Sequence, residues 1–284
     1  MSFNAVAFAA FGAAAGFYVG RSTPTKLLKV VMADARLNQA RAGTQSEARM
    51  WADELKVARA HTAARQADRP RLRRRGFVYA LVGAALLAAI GATANDVANG
   101  AGVGVILMLV MQLSAMDLDD CSVPDNGIWL VAVLSALFTL ISDIYPTGGA
   151  QFSLVGFVLT SVLIATVIPV AKVMMKIRGR QAPGMVFGDG DVLLLLALSM
   201  LFGVDVLLVM AVACLVSMPL QLAPQASQRI ARSLGHFPHW SHGAPFIPGI
   251  FIGCALTYFA AIRYGVSLNP FLQLLLARMQ TLNL

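Results

Sequence analysis

Read for the spacing of its apolar positions, the chain breaks into long runs almost free of charge, separated by short polar turns. The runs fall near 5–20, 77–95, 98–116, 127–145, 153–173, 192–222 and 246–264. A helix that crosses a bilayer needs about 20 mostly apolar residues, so each run predicts a spanning helix. The run 192–222 is too long for one helix and is interrupted at Gly203-Val204-Asp205. Split there, it gives a short span and a longer one returning. The expected fold is therefore all-α: a polytopic integral membrane protein with about eight transmembrane helices and a cytoplasmic helical segment after the first. No basic stretch precedes the first run and no cleavage site is evident before Arg21, so residues 1–20 are expected to stay as a membrane anchor rather than to leave as a signal peptide.

Residues 21–76 differ in kind. Thr23-Pro24 reads as a cap followed by proline in a first helical turn. Thr44 with Glu47 matches a capping box. Trp51, Leu55 and Ala58 recur at spacings of four and three, one face of a helix. An amphipathic helical hairpin on the membrane surface is expected, with docking to a partner protein as the sharper alternative. The apolar tail segment Phe271–Leu276 is expected in the outer interface. The chain then divides into an anchor (1–20), a basic helical region (21–76), a membrane-embedded domain (77–264) and a tail (265–284).

Composition agrees with this pattern. Hydrophobic residues make up 58% of the 284 and charged residues 13%, and mean hydropathy is +0.71. A soluble domain carries roughly twice that charged share, so a water-soluble globule and a disordered chain are both excluded. Three well-separated cysteines, Cys121, Cys214 and Cys254, leave no disulfide framework and no thiolate zinc site. The net charge of +8 is local: residues 21–76 hold 14 Lys and Arg against 5 Asp and Glu. With the amino terminus outside, the inner loops 21–76, 117–126, 172–191 and 223–245 collect 20 of the 22 bases, as the positive-inside rule requires. Both termini are then expected outside the cytoplasm. The basic segment reads as a retention signal, and the lipid bilayer, not nucleic acid, is the expected contact.

That topology, drawn from Lys and Arg alone, also sorts the acids. Asp96, Asp143 and Asp205 fall at or near outer turns, where solvated carboxylates are expected. Six others form two groups at the inner face: Asp117, Asp119, Asp120 and Asp125 after the third span, and Asp189 and Asp191 at the start of the sixth. Ionisable groups at membrane depth point to function. Two carboxylates brought close cannot both ionise cheaply, so one holds a proton while the other acts as a base. Aspartic proteolysis uses that division: the base activates a water and the acid protonates the carbonyl or the leaving amine. Gly188 and Gly190, lacking side chains, would let a substrate backbone approach. The alternative is that these acids merely cap helices, since Asp near a helix amino terminus satisfies free N–H groups.

The stretch Gly188-Asp189-Gly190-Asp191-Val192, followed by Leu-rich sequence to Gly203, resembles the GxGD motif of the type IV prepilin peptidases, a family of membrane aspartic proteases. Asp117 through Pro124-Asp125-Asn126 resembles the family's other motif, an Asp followed seven residues later by Pro-Asp or Pro-Asn. Ala244-Pro245-Phe246-Ile247-Pro248-Gly249 resembles its late Pro-Phe-x-Pro element. The resemblance covers roughly 77–264. It implies a catalytic pair at Asp117 and Asp191, supported by Gly188, Asp189, Gly190, Pro124 and Asp125, with Asp119 and Asp120 as companions. It also implies cleavage of the short basic leader of pilin-like or pseudopilin precursors at the cytoplasmic face of a bacterial inner membrane, in support of a type IV pilus or type II secretion. Pilus or secretion assembly proteins would be further partners. Bifunctional family members carry a four-Cys zinc site in the first cytoplasmic region and also methylate the new amino terminus. Residues 21–76 contain no Cys, so no metal or cofactor is expected and methyl transfer is not implied. Many members have Lys two residues after the motif's second Asp, where this chain has Leu193.

Two other readings share some of these features. A presenilin-like intramembrane protease also uses a GxGD aspartate, but has Tyr-Asp in the partner helix and Pro-Ala-Leu late in the chain, where this chain has Met116-Asp117 and Pro245-Phe246. A non-catalytic scaffold or small transporter is the non-enzymatic alternative, although transporters place their acids near the midplane. His236, His239 and His242 lie three apart around the helix-breaking Pro238, and are expected in an ordinary loop rather than at a metal.

Overall fold

The computed structural model describes residues 3–94, 96–121, 123–141, 150–177, 189–238, 244–270, 273–274 and 277–278. Among them every element is helical: α1 (Phe3–Arg41), α2 (Gln45–Ala67), α3 (Arg69–Thr93), α4 (Val97–Asp120), α5 (Asp125–Ile141), α6 (Ala150–Ile177), α7 (Asp189–Phe202), α8 (Val206–Leu222), α9 (Pro224–Ser233) and α10 (Ile247–Tyr264). Five described stretches are long and apolar enough to cross a membrane: Asn4–Ser22, Arg69–Thr93, Val97–Asp119, Gly190–Leu222 and Ile247–Tyr264. Asp125–Leu140 and Ser153–Thr166 are apolar but shorter. Large apolar side chains stay on the outside of the bundle, among them Leu81, Trp129, Leu140, Leu215 and Leu222. Water would oppose that surface, whereas hydrocarbon accepts it.

The first helix corrects one expectation. No helix begins at Thr23-Pro24, because α1 runs unbroken through both and ends at Arg41. At 1.5 Å per residue it is about 58 Å long, so the anchor and the first arm of the basic hairpin are one rod. The usual penalty of an interior proline, a lost hydrogen bond and a clash with the carbonyl four residues back, is borne within a helix braced along its length by α3 and then α2. The second arm starts as its sequence predicts. Thr44 caps α2, its hydroxyl accepting from Glu47 N–H at 3.3 Å, while the Glu47 carboxylate accepts from Gly43 N–H at 3.1 Å. Asp68 then caps α3, accepting from Arg71 N–H at 3.2 Å.

Small residues set how closely the helices approach. Gly12, Gly16 and Gly20 recur every fourth residue on one face of α1. A Cβ on any of them would run into the backbone of Gly83, Tyr79 or Arg75 respectively. The partner numbers fall as the α1 numbers rise, so α1 and α3 are antiparallel and touch backbone to backbone. Such contacts replace the hydrophobic drive that is lost in lipid. Helix α4 is the centre, with Val103, Ile106, Leu107, Val110, Met111 and Ala115 all buried.

The long apolar stretch 190–222 does turn back on itself. Gly203 adopts φ +58° and sits against Gly156 of α6, where a Cβ would strike the backbone. Helix α8 packs antiparallel to α10, with Gly253 against Val209 and Gly249 against Ala213 and Ser217. The ends of α8 and α10 thereby fix α7 as the outgoing limb and α8 as the returning one. Asp205, expected as a solvated turn residue, is fully buried. Its carboxylate accepts from Ser267 Oγ at 2.6 Å, Asn269 Nδ2 at 3.1 Å and the Leu268 N–H, and so ties the segment after α10 to the α7–α8 turn. Asp96 is exposed, as expected. Asp143 lies outside the described residues.

Candidate active site at one end of the bundle

Helix directions bring six helix ends together: the start of α3, the end of α4, the starts of α5 and α7, the end of α8 and the start of α10. Asp117 lies in the last turn of α4 and is buried. Its Oδ2 accepts from Ile247 N–H at 2.9 Å, with Phe246 N–H as a second backbone donor. The first N–H groups of a helix have no partner within it and form an anion site. Asp117 therefore sits on the amino terminus of α10, held by the Pro245-Phe246-Ile247-Pro248 stretch.

Asp191 is the third residue of α7 and is also buried. Helix α7 opens beside the α4–α5 turn: a Cβ on Gly190 would lie 3.7 Å from Ile128 Cδ1 and 3.8 Å from Val123 Cβ. Asp117 and Asp191 are close enough that the charge of one acts on the other. The two residues of the expected pair thus stand 74 positions apart in sequence and lie near one another at this end of the bundle. Among the described residues Gly190 is not demanded by packing, since a methyl group would meet only ordinary contacts there.

The remaining motif residues are less central. Asp125 is exposed at the start of α5, and Pro124 is half-buried, its carbonyl accepting from Gly127 N–H at 2.9 Å. They shape the turn and do not enter the pair. Gly188 lies outside the described residues, as do the side chains of Asp189 and Asp120.

Asp119 is placed differently from a companion of Asp117. It is fully buried and forms an ion pair with Arg75 Nη1 at 2.6 Å. Its other oxygen accepts from His236 Nδ1 at 3.1 Å and from Phe237 N–H at 3.0 Å. Arg75 also donates to the Ala115 carbonyl at 3.0 Å. Tyr79 O–H lies 3.2 Å from His236 Nε2. Arg71 donates to the His236 carbonyl and lies over the Phe237 ring, 4.2 Å from its centroid. His236 is thus a buried pin rather than a residue of an ordinary solvated loop. Burial holds its imidazole below the usual histidine range, helped by the charges of Arg75 and Arg71 and opposed by Asp119. A neutral ring fits the geometry: Nδ1–H donates to Asp119 and Nε2 accepts from Tyr79. His239 and His242 lie outside the described residues.

This network is the part that reading by charge overlooks. Arg75 looks like the last of a basic stop, Arg73-Arg74-Arg75. Its neighbours on the helix tell more, because Arg75, Tyr79, Leu86 and Ile90 fall on one stripe of α3 and all are buried. An arginine in register with a core stripe predicts a buried acid opposite it.

Comparison of the chain with protein-family models, with curated proteins and with solved structures finds no match. Function therefore has to be argued from the site itself.

Proposed function

We propose that this chain is a prepilin-type leader peptidase of a bacterial inner membrane, using Asp117 and Asp191 as an acid–base pair. The observation that carries the reading is the meeting of these two buried carboxylates at one end of the bundle, with Asp117 seated on the Pro245-Phe246-Ile247-Pro248 helix start. One carboxylate takes a proton from water as the oxygen attacks the scissile carbonyl. The other, protonated, gives its proton to the departing amine. No metal enters this scheme. Gly190, lacking a side chain, would let an extended substrate backbone approach next to Asp191.

The topology belongs to the same proposal. Counting α5 and α6 as spans, and α7 and α8 as two, gives eight crossings with both termini outside the cytoplasm. The α1–α2 hairpin then projects into the cytoplasm on the side of the carboxylate pair, where pilin-like precursors present their basic leaders. Charge distribution supports that orientation.

The test is leader cleavage of a pilin-like precursor by the purified chain in lipid. General acid–base contributions are roughly 10²–10⁴-fold each, and groups that act as a unit lose nearly everything with the first member. Asp117→Asn and Asp191→Asn should each be nearly inactive at unchanged abundance, and the double variant little worse. If the folded wild type cleaves no precursor, the peptidase reading falls and a non-catalytic scaffold replaces it. If both single variants cleave normally, the two-aspartate mechanism fails.

A further inference from the structure

The start of α3 carries arginines of two kinds. Arg71 and Arg75 turn inward and are engaged with the 236–237 loop and with Asp119. Arg69, Arg73 and Arg74 turn outward and, with Pro70, Phe77 and Val78, line a cavity of about 520 Å³. None of these three makes an ion pair among the described residues. Arg74 alone reaches a neighbour, the Ser233 carbonyl at 3.4 Å. The cavity walls contain no acid, and the adjacent Asp68 caps the backbone of Arg71. The charge of this groove is therefore unanswered among the described residues.

Below the guanidiniums the same face of α3 becomes apolar. Phe77 is 63% exposed and Leu81 76%, one and two turns further on. Three cations over an exposed aromatic and a leucine match the two halves of an acidic phospholipid: a phosphodiester at the membrane surface and acyl chains beneath it. Guanidinium groups grip phosphate oxygens in pairs, and basic pockets at the ends of spanning helices suit anionic headgroups. A free phosphate would meet the arginines but leave the apolar face unused.

We propose that the groove formed by Arg69, Arg73, Arg74 and Phe77 is a binding site for an acidic phospholipid, with its headgroup phosphate on the arginines and its acyl chains along Phe77 and Leu81. The site is separate from the carboxylate pair, and the proposal does not depend on the chain being a peptidase. It also gives the basic run at residues 69–75 a double use, in which alternate arginines pin the fold and hold lipid.

The experiment is native mass spectrometry of the full chain released from mild detergent. It is titrated with phosphatidylglycerol or with phosphatidylcholine of the same acyl chains. The wild type should retain phosphatidylglycerol and not phosphatidylcholine. Losing each arginine should weaken retention about five-fold, and Arg69→Gln with Arg73→Gln and Arg74→Gln together roughly 100-fold. Arg71 and Arg75 stay intact, so the buried network is not disturbed. Should the triple variant fail to fold, Arg73→Gln and Phe77→Ala are read singly, and each should weaken retention. A control that removes the exposed Arg36, Arg41 and Arg49 from the hairpin should retain lipid like the wild type. Four results would overturn the proposal: equal retention of both lipids, unchanged retention in the groove variants, equal loss in the hairpin control, or displacement of the lipid by equimolar inorganic phosphate.

Discussion

Removing the Asp119 carboxylate should destabilise the protein more than any other single change at this end of the bundle. In the native state Asp119 answers three donors at once: Arg75 Nη1 at 2.6 Å, Phe237 N–H at 3.0 Å and His236 Nδ1 at 3.1 Å. Both Arg75 and Asp119 are fully buried. Asp119→Ala leaves a guanidinium with no counter-charge and no route to water, and breaking a buried pair by one partner costs about 3–5 kcal/mol. For a chain of this size each kcal/mol moves the midpoint by roughly 2–4 °C. A fall of about 6–20 °C in the thermal midpoint is therefore expected, followed by tryptophan fluorescence in detergent. Asp119→Asn keeps an acceptor but loses the charge, and should lie between. The double change Arg75→Met with Asp119→Leu removes the charge and its orphan together, so it should be less damaging than the sum of the singles. A midpoint within about 2 °C of the wild type for Asp119→Ala, or strict additivity in the cycle, would refute the pin.

Other changes follow from the same packing. Gly16→Leu drives a side chain into the Tyr79 carbonyl; overpacking of this kind costs about 1–3 kcal/mol, and membrane abundance should drop, whereas Ala14→Leu on an exposed position of α1 should be silent. Gly190→Ala meets nothing closer than 3.7 Å among the described residues, so the midpoint should hold while, on the peptidase reading, leader cleavage falls at least about ten-fold through a hindered substrate approach; full activity would remove that role from Gly190. For His236, facing Arg71, Arg75 and Tyr79 of α3 and Asp119 of α4, burial keeps the native imidazole neutral where the unfolded one takes a proton. Its contribution to stability is complete above about pH 6.5 and is lost as pH falls from there toward the depressed native value. The wild-type midpoint should therefore decline on acidification more steeply than that of His236→Gln, and parallel curves would count against a neutral buried ring.

Much of the helical plan was readable from apolar run lengths, because a helix in hydrocarbon must satisfy its backbone internally and so leaves a long uninterrupted signature. The reversal at Gly203 was legible for the same reason: a run of more than 30 residues has nowhere to go in one crossing. Three features were not. The passage of α1 through Pro24 depends on neighbours that brace it, which no local rule contains. The burial of Asp205 depends on Ser267 and Asn269, more than 60 residues later. The pairing of Arg75 with Asp119 was masked by the positive-inside pattern, which assigns every arginine beside a span to one role and does not ask which way it faces.

Facing explains how a single helix end supports two kinds of acid. Successive residues of an α-helix are about 100° apart, so Asp117 and Asp119 point to nearly opposite sides of α4. One side meets α10 and α7, where Asp117 and Asp191 converge. The other meets α3 and the 236–237 loop, where Arg75 and His236 hold Asp119. The loop fastened at Asp119 leads on to the same α10 start whose N–H groups hold Asp117. Fixing one carboxylate therefore helps to fix the surroundings of the other, although the two share no atom contact. On the proposed peptidase reading, a variant at Asp119 that still folds should thus bind precursor with little change yet cleave it slowly, since what loosens is the seat of Asp117. A rise in KM with an unchanged kcat would show instead that the loop serves substrate binding.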